Sequence, residues 1–180
     1  MELKISFRCN ICIKKEIFHK IKLEVFNLTV NLTQKERMLL EDQKSHEEMC
    51  IRKYSNYSDQ AKDMQLKQIC KNNEQIERHH LDTINQILSG NVPQMNQQQN
   101  QSAGQNVNNA QDTPSNLSDK EICTDLLMTE KYVSGAYDTA IFEFKDTEVR
   151  DVLNHIQKEE QKHGESIFKY MESKGMYNVQ

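Results

Sequence analysis

The sequence predicts an all-α protein, a four-helix bundle made of two similar helical hairpins. Two stretches of nearly equal length, 32–90 and 117–175, carry apolar residues at helical spacing. Between them lies a Gln/Asn-rich segment, 91–116, almost devoid of large apolar side chains. Each stretch opens on the same signal and closes on a glycine, Gly90 and Gly175, suited to a helix C-cap.

The opening signal is a hydroxyl three positions ahead of an acid, Thr33 with Glu36 and Ser118 with Glu121. This is the capping-box pattern of a helix start. In the first hairpin the stripes run through Leu40, Ile51, Tyr54 and Ala61, then Leu66, Ile69, Ile76, Ile84, Ile87 and Leu88. The third segment is the clearest, with Cys123, Leu126, Leu127, Val133, Tyr137, Ala140, Ile141 and Phe144 on one face. The fourth follows with Val149, Val152, Leu153, Ile156, Ile167, Tyr170 and Met171. Polar breaks at 60–63 and 145–147 divide each stretch into two antiparallel helices.

Residues 91–116 contain both prolines, Pro93 and Pro114. Such a segment buries too little apolar surface to offset its ordering entropy and is predicted to be a disordered linker. Fully extended, it reaches about 85 Å, against about 42 Å for a helix of about 28 residues. It can therefore serve as the long crossover of ferritin-like folds, while a tighter up-and-down path is equally within its reach. Residues 1–31 form an N-terminal extension outside the hairpin pattern.

Composition narrows the function classes. The 180-residue chain is 28% charged, with a formal net charge of −4 and no basic stripe, so nucleic acid is not an expected partner. Lysines and glutamates interrupt every hydrophobic stretch, so no membrane span is expected. The N-terminus alternates apolar and basic side chains without the apolar core of a signal peptide. Five cysteines at irregular spacing (Cys9, Cys12, Cys50, Cys70, Cys123) do not form a disulfide framework. The lone CxxC of Cys9 and Cys12 lacks the second pair that a zinc site needs.

Each predicted helix places an acid inside its apolar stripe: Glu47, Glu77, Glu130 and Glu160. Two of these begin a Glu-x-x-His pair, Glu77 with His80 and Glu160 with His163, and side chains at this spacing share a helix face. One constant offset in numbering relates Glu47 to Glu130, Glu77 to Glu160, His80 to His163 and Tyr54 to Tyr137. Glu47 and Glu77 lie equally far on either side of the break near position 62, and Glu130 and Glu160 lie at that same separation from the break near position 145, so all six should meet at mid-height. Two Glu from two helices plus Glu-x-x-His from the other two is the arrangement that holds two iron or manganese ions in a bundle core. Four carboxylates offset the charge of two divalent ions, and two imidazoles complete the ligand set. The same cluster also fits a vestigial site in which Glu and His hydrogen-bond one another across the core.

Neighbouring Glu48, His79 and Glu159 fall off the stripe, and His46, His155 and His19 read as surface or boundary residues. Tyr54 and Tyr137 read as core, or as donors that orient the carboxylates. Gly135 and Gly164 interrupt helices, through close helix packing or, beside His163, as a gap for a small substrate.

The motifs resemble those of the ferritin-like superfamily, near rubrerythrins and manganese catalases. That resemblance implies that Glu77 and Glu160 bridge two metals, that Glu47 and Glu130 are terminal ligands, and that His80 and His163 each bind one metal. No rubredoxin-like pair of CxxC motifs follows the bundle, which sets the chain apart from rubrerythrins in electron delivery.

A more specific resemblance is to the spore coat protein F family of endospore-forming Firmicutes. It rests on LTQKERMLLEDQKSHEEMCIRKY at 32–54, HLDTINQILSG at 80–90, DLLMTEKYVSGAYDTAIFEFKD at 125–146 and LNHIQKEEQKHGESIFKYM at 153–171. It implies a structural coat protein, made in the mother-cell cytoplasm and deposited in the spore coat, with other coat proteins and copies of itself as partners and no assigned catalytic activity. The ligand set implies an alternative, a dinuclear manganese or iron oxidoreductase acting on peroxide. Positions 1–30 have no place in the family pattern, and their Ile, Lys, Phe and Asn bias points to a misassigned start upstream of the coding region.

Overall fold

A computed structural model describes residues 30–93 and 117–177. Nearly all of the N-terminal extension, most of the Gln/Asn-rich linker and the Cys9/Cys12 pair lie outside the described residues. Among the described residues the fold consists of four α-helices: α1 (Gln34–Gln60), α2 (Met64–Leu88), α3 (Asp119–Ile141) and α4 (Thr147–Ser173). α1 packs against α2 and α3 against α4 as hairpins, and the hairpins meet through α1 with α3 and α2 with α4.

Both expected capping boxes form. The Thr33 hydroxyl accepts from Glu36 N while the Glu36 carboxylate accepts from Thr33 N, and Ser118 with Glu121 repeats the exchange. Asp63 and Asp146 cap α2 and α4. At the C-terminal ends Gly90 (φ 93°) and Gly175 (φ 66°) adopt the left-handed backbone that lets the chain close a Schellman turn. There Asn91 N donates to Gln86 O at 2.9 Å and Met176 N to Met171 O at 2.8 Å.

The core seam alternates steps of three and four. In α2 it runs Leu66, Cys70, Asn73, Glu77, His80, Ile84, Ile87, and in α4 Val149, Leu153, Ile156, Glu160, His163, Ile167, Tyr170. That mean step of about 3.5 residues suits near-parallel, supercoiled packing. All the apolar stripe residues predicted for α3 and α4 are buried, whereas Ile69, Ile76 and Leu88 of α2 sit at the half-buried margin.

Contacts at the two ends fix the connectivity. Lys35 at the start of α1 pairs with Glu143 after α3, and the Asp119 carboxylate at the start of α3 accepts from Lys62 N and Asp63 N beyond α1. α1 and α3 are therefore antiparallel. Lys174 after α4 reaches Asp63 before α2, so α2 and α4 are antiparallel too. The end of α2 and the start of α3 then lie at opposite ends of the bundle, the end-point arrangement of a single long crossover rather than of the up-and-down path. The halves are related by a pseudo-twofold: buried Glu36 accepts from Lys145 N in the α3–α4 turn, as Asp119 accepts from Lys62 N in the α1–α2 turn.

Candidate metal centre

The seam carries the polar residues inward because its spacing leaves them no other direction. Glu77 and His80 occupy two successive seam positions of α2, and Glu160 and His163 occupy two of α4, where a bundle ordinarily places Leu or Ile. Glu47 and Glu130 hold the matching level of α1 and α3. All six residues are at most 2% exposed and converge at mid-height.

The bonding pattern has the same pseudo-twofold as the fold. His80 Nδ1 lies 3.0 Å from Glu160 Oε1, 3.3 Å from Glu77 Oε2 and 3.5 Å from Glu47 Oε2. His163 Nδ1 lies 3.1 Å from Glu77 Oε1, 3.7 Å from Glu160 Oε2 and 3.7 Å from Glu130 Oε2. Glu77 and Glu160 thus each offer one oxygen to either imidazole, whereas Glu47 serves only the His80 side and Glu130 only the His163 side. Two overlapping four-membered sets result, Glu47, Glu77, His80, Glu160 and Glu77, Glu130, Glu160, His163, each with its donor atoms within 4.8 Å of one another.

The tyrosines exchange hairpins. Tyr54 of α1 donates to Glu130 Oε1 of α3, and Tyr137 of α3 donates to Glu47 Oε1 of α1. Each terminal carboxylate is held by its outer oxygen and turns the other inward. Those inner oxygens, Glu47 Oε2 and Glu130 Oε2, accept no hydrogen bond. Glu160 meets His80 Nδ1 at 3.0 Å as an ion pair, with no further donor on its oxygens. Buried carboxylate oxygens without donors are expensive. Four of them within one buried cluster is a demand that a cation meets, and oxygen with imidazole nitrogen suits manganese, iron or zinc. The residues present could hold a metal ion.

Among the protein groups alone, protons take the cation's role. Burial, reinforced by the neighbouring carboxylates, holds Glu47 well above the usual carboxyl range and pushes Glu130 up to about 8. Burial acts the same way on Glu77 and Glu160, but the two imidazoles outweigh it and both are lowered. Burial would lower the histidines; the surrounding carboxylates instead raise His80 well above its ordinary value and His163 to about 11.

Two partners escaped the sequence reading. Glu159, assigned off the stripe, receives His80 Nε2 at 2.9 Å. Asn73 Nδ2 donates to Tyr54 OH at 3.1 Å. Asn73 was findable, since it is a polar residue on the seam one turn before Glu77. Glu159 was not, because its approach follows from the crossing of α2 and α4. Exposed His79 and half-buried His46 stay outside the cluster, and His155 touches it only through Glu159, at 3.5 Å. A Cβ on Gly164 would meet Leu127 Cδ1 at 3.7 Å and Glu130 Cβ at 3.8 Å, which is packing rather than a gap. Around Gly135 nothing lies within 4 Å, so close packing does not account for it.

Residues 118–180 match the Coat F domain family. The chain is also 34% identical over 89 residues to the uncharacterized protein YusN of Bacillus subtilis (strain 168), covering 48% of this chain and 76% of YusN. The chain belongs to the Coat F family. No solved structure matches it. The Coat F match begins at the N-cap of α3 and takes in Glu130, Glu160 and His163, one terminal glutamate with one Glu-x-x-His pair.

Proposed function

We propose that this protein is a component of the bacterial spore coat whose bundle core holds two divalent manganese or iron ions. Membership of the Coat F family supports the coat assignment. The division of Glu77 and Glu160 between two imidazoles supports the metal pair. In that reading Glu77 and Glu160 bridge, Glu47 and Glu130 are terminal ligands, and His80 and His163 bind one ion each. The two hairpins form one bundle domain, and the ions tie them together across the core. Among the described residues no helix is long and apolar enough to cross a membrane. Exposed Met38, Met128, Tyr132 and Phe142 supply apolar surface for assembly with other coat proteins and with further copies of the chain.

Two measurements test this. In the organism that encodes it, the protein is expected in the insoluble coat fraction of purified spores; recovery only from vegetative cells removes the coat assignment. Protein purified without chelators is expected to carry two metal ions per chain, lost in Glu77→Ala and Glu160→Ala while the helical circular dichroism persists. Protein that neither retains nor takes up manganese or iron removes the metal assignment. A peroxide-dismutating oxidoreductase is the second reading, favoured by the oxygen-rich ligand set around two adjacent ions. Peroxide turnover by the metal-loaded protein, abolished by the same two substitutions, distinguishes it from a purely structural role.

A further inference from the structure

The hydrogen bonding around the two halves of the centre departs from the pseudo-twofold at two places, both just outside the six residues. The constant offset that superposes every ligand candidate carries Glu159 onto Ile76 and Asn73 onto Ile156. The partners of the two imidazoles therefore differ. His80 presents Nδ1 to the cluster and Nε2 to the Glu159 carboxylate at 2.9 Å. His163 presents Nδ1 in the same way, but its buried Nε2 has no hydrogen-bond partner.

We propose that the duplicated centre has diverged into two inequivalent metal positions, with the His80 half made the tighter by Glu159 acting as a positioning residue. The inference rests on the metal reading above. A carboxylate on Nε2 holds the proton there, leaves the Nδ1 lone pair facing the ion, fixes the ring plane and raises the basicity of the ligating nitrogen. Glu159 is suited to this because its side chain is only 22% exposed, so solvent screens it little. The His163 ring lacks that anchor.

The compensating feature of the other half is weaker. Asn73 donates to Tyr54 OH, which donates to Glu130, so a neutral amide steadies one terminal carboxylate. Its counterpart Tyr137 holds Glu47 with Ile156 in the place of Asn73. A neutral hydrogen bond two groups away from the ion competes against a full negative charge one group away. Charge-assisted bonds are roughly twice as strong as neutral ones, and removing such a partner from a ligating histidine typically costs about 10- to 100-fold in metal affinity.

The test uses full-length protein stripped of metal and titrated with Mn²⁺ alone, followed by calorimetry and electron paramagnetic resonance. Glu130→Ala leaves the His80 half with its full set, and Glu47→Ala leaves the His163 half with its own. The first Mn²⁺ is expected to bind Glu130→Ala about 10- to 100-fold more tightly than Glu47→Ala. Adding Glu159→Gln to each variant should erase that difference by weakening only the former. Ile76→Glu, which places an acid at the position equivalent to Glu159, should tighten Glu47→Ala. Equal affinities in the two single variants, or a Glu159→Gln effect that falls on both alike, overturn the inequivalence while leaving a metal centre in place. No Mn²⁺ binding by the parent protein overturns the metal reading and this inference with it. Circular dichroism on each variant separates loss of affinity from loss of fold.

Discussion

Replacing Tyr54 by Phe and, separately, Tyr137 by Phe should destabilise the metal-free bundle unequally. Both rings are fully buried, and Phe keeps their volume, so cavity costs are small and the difference reports hydrogen bonding. Tyr137→Phe strands one acceptor, Glu47 Oε1. Tyr54→Phe strands Glu130 Oε1 and also Asn73 Nδ2, whose residue is 5% exposed. Leaving one buried polar group unsatisfied costs about 1–3 kcal/mol, so Tyr137→Phe should lose about that much and Tyr54→Phe about twice as much. Urea denaturation of chelator-treated protein at neutral pH, with both midpoint and slope recorded, measures the two values. Equal losses would show that Asn73 contributes nothing through Tyr54. A negligible loss in both would show that the tyrosine hydroxyls do not hold the terminal carboxylates at all.

Gly135→Ala should stabilise the protein by about 1 kcal/mol, because the position is helical and a Cβ there meets nothing within 4 Å; a loss of stability in urea melts would contradict the open surface. The metal-free protein should also lose stability as pH rises from mildly acidic to alkaline values. Glu130, raised from 4.5 to about 8 by burial, binds its proton more tightly folded than unfolded, so it stabilises at low pH and that contribution is lost as pH rises through about 8. His163, raised from 6.5 to about 11, adds stability that is present below 6.5 and lost toward 11. Each such proton contributes a slope of at most about 1.4 kcal/mol per pH unit. Glu77 and Glu160, both lowered, act in the opposite sense and withdraw stability only below about 4.5. Urea midpoints at pH 5, 7 and 9 should fall with chelator present; a level chelator series would contradict the proton-filled cluster.

Much of this architecture was legible because helix signals are local. A hydroxyl before Glu36 and another before Glu121 name the two capping boxes without any tertiary knowledge, and the seam positions of Glu77 and His80 follow from a step of three along the helix. The connectivity was not legible, since a linker long enough to span the bundle is also long enough not to; it took the Asp119 contacts with Lys62 and Asp63 to orient α3. The tyrosines show the same boundary. Their register was visible, but their exchange across hairpins depends on α1 and α3 running antiparallel, which places Tyr54 beside Glu130 and Tyr137 beside Glu47. Glu159 marks the limit, because off-seam residues meet a neighbouring helix only where crossing geometry brings it close.

The internal repeat also bears on whether the polar cluster is a site or merely tolerated core. Most of the other buried positions related by the same offset have changed: Leu40 against Cys123, Gln43 against Leu126, Cys50 against Val133, Ser58 against Ile141, Cys70 against Leu153, Asn73 against Ile156. Apart from Asn73, these positions fill space, and a core tolerates such changes when neighbouring positions compensate in volume. The four glutamates, two histidines and two tyrosines are identical in both halves, with Ile84 and Ile167 the matching apolar pair. Packing alone would not single out the groups that are costliest to bury, since apolar residues of similar size in the place of a buried charge network are often neutral or stabilising. A joint function of those eight side chains accounts for both their identity and their cost, and the proposed pair of cations is a function that their inward oxygens fit.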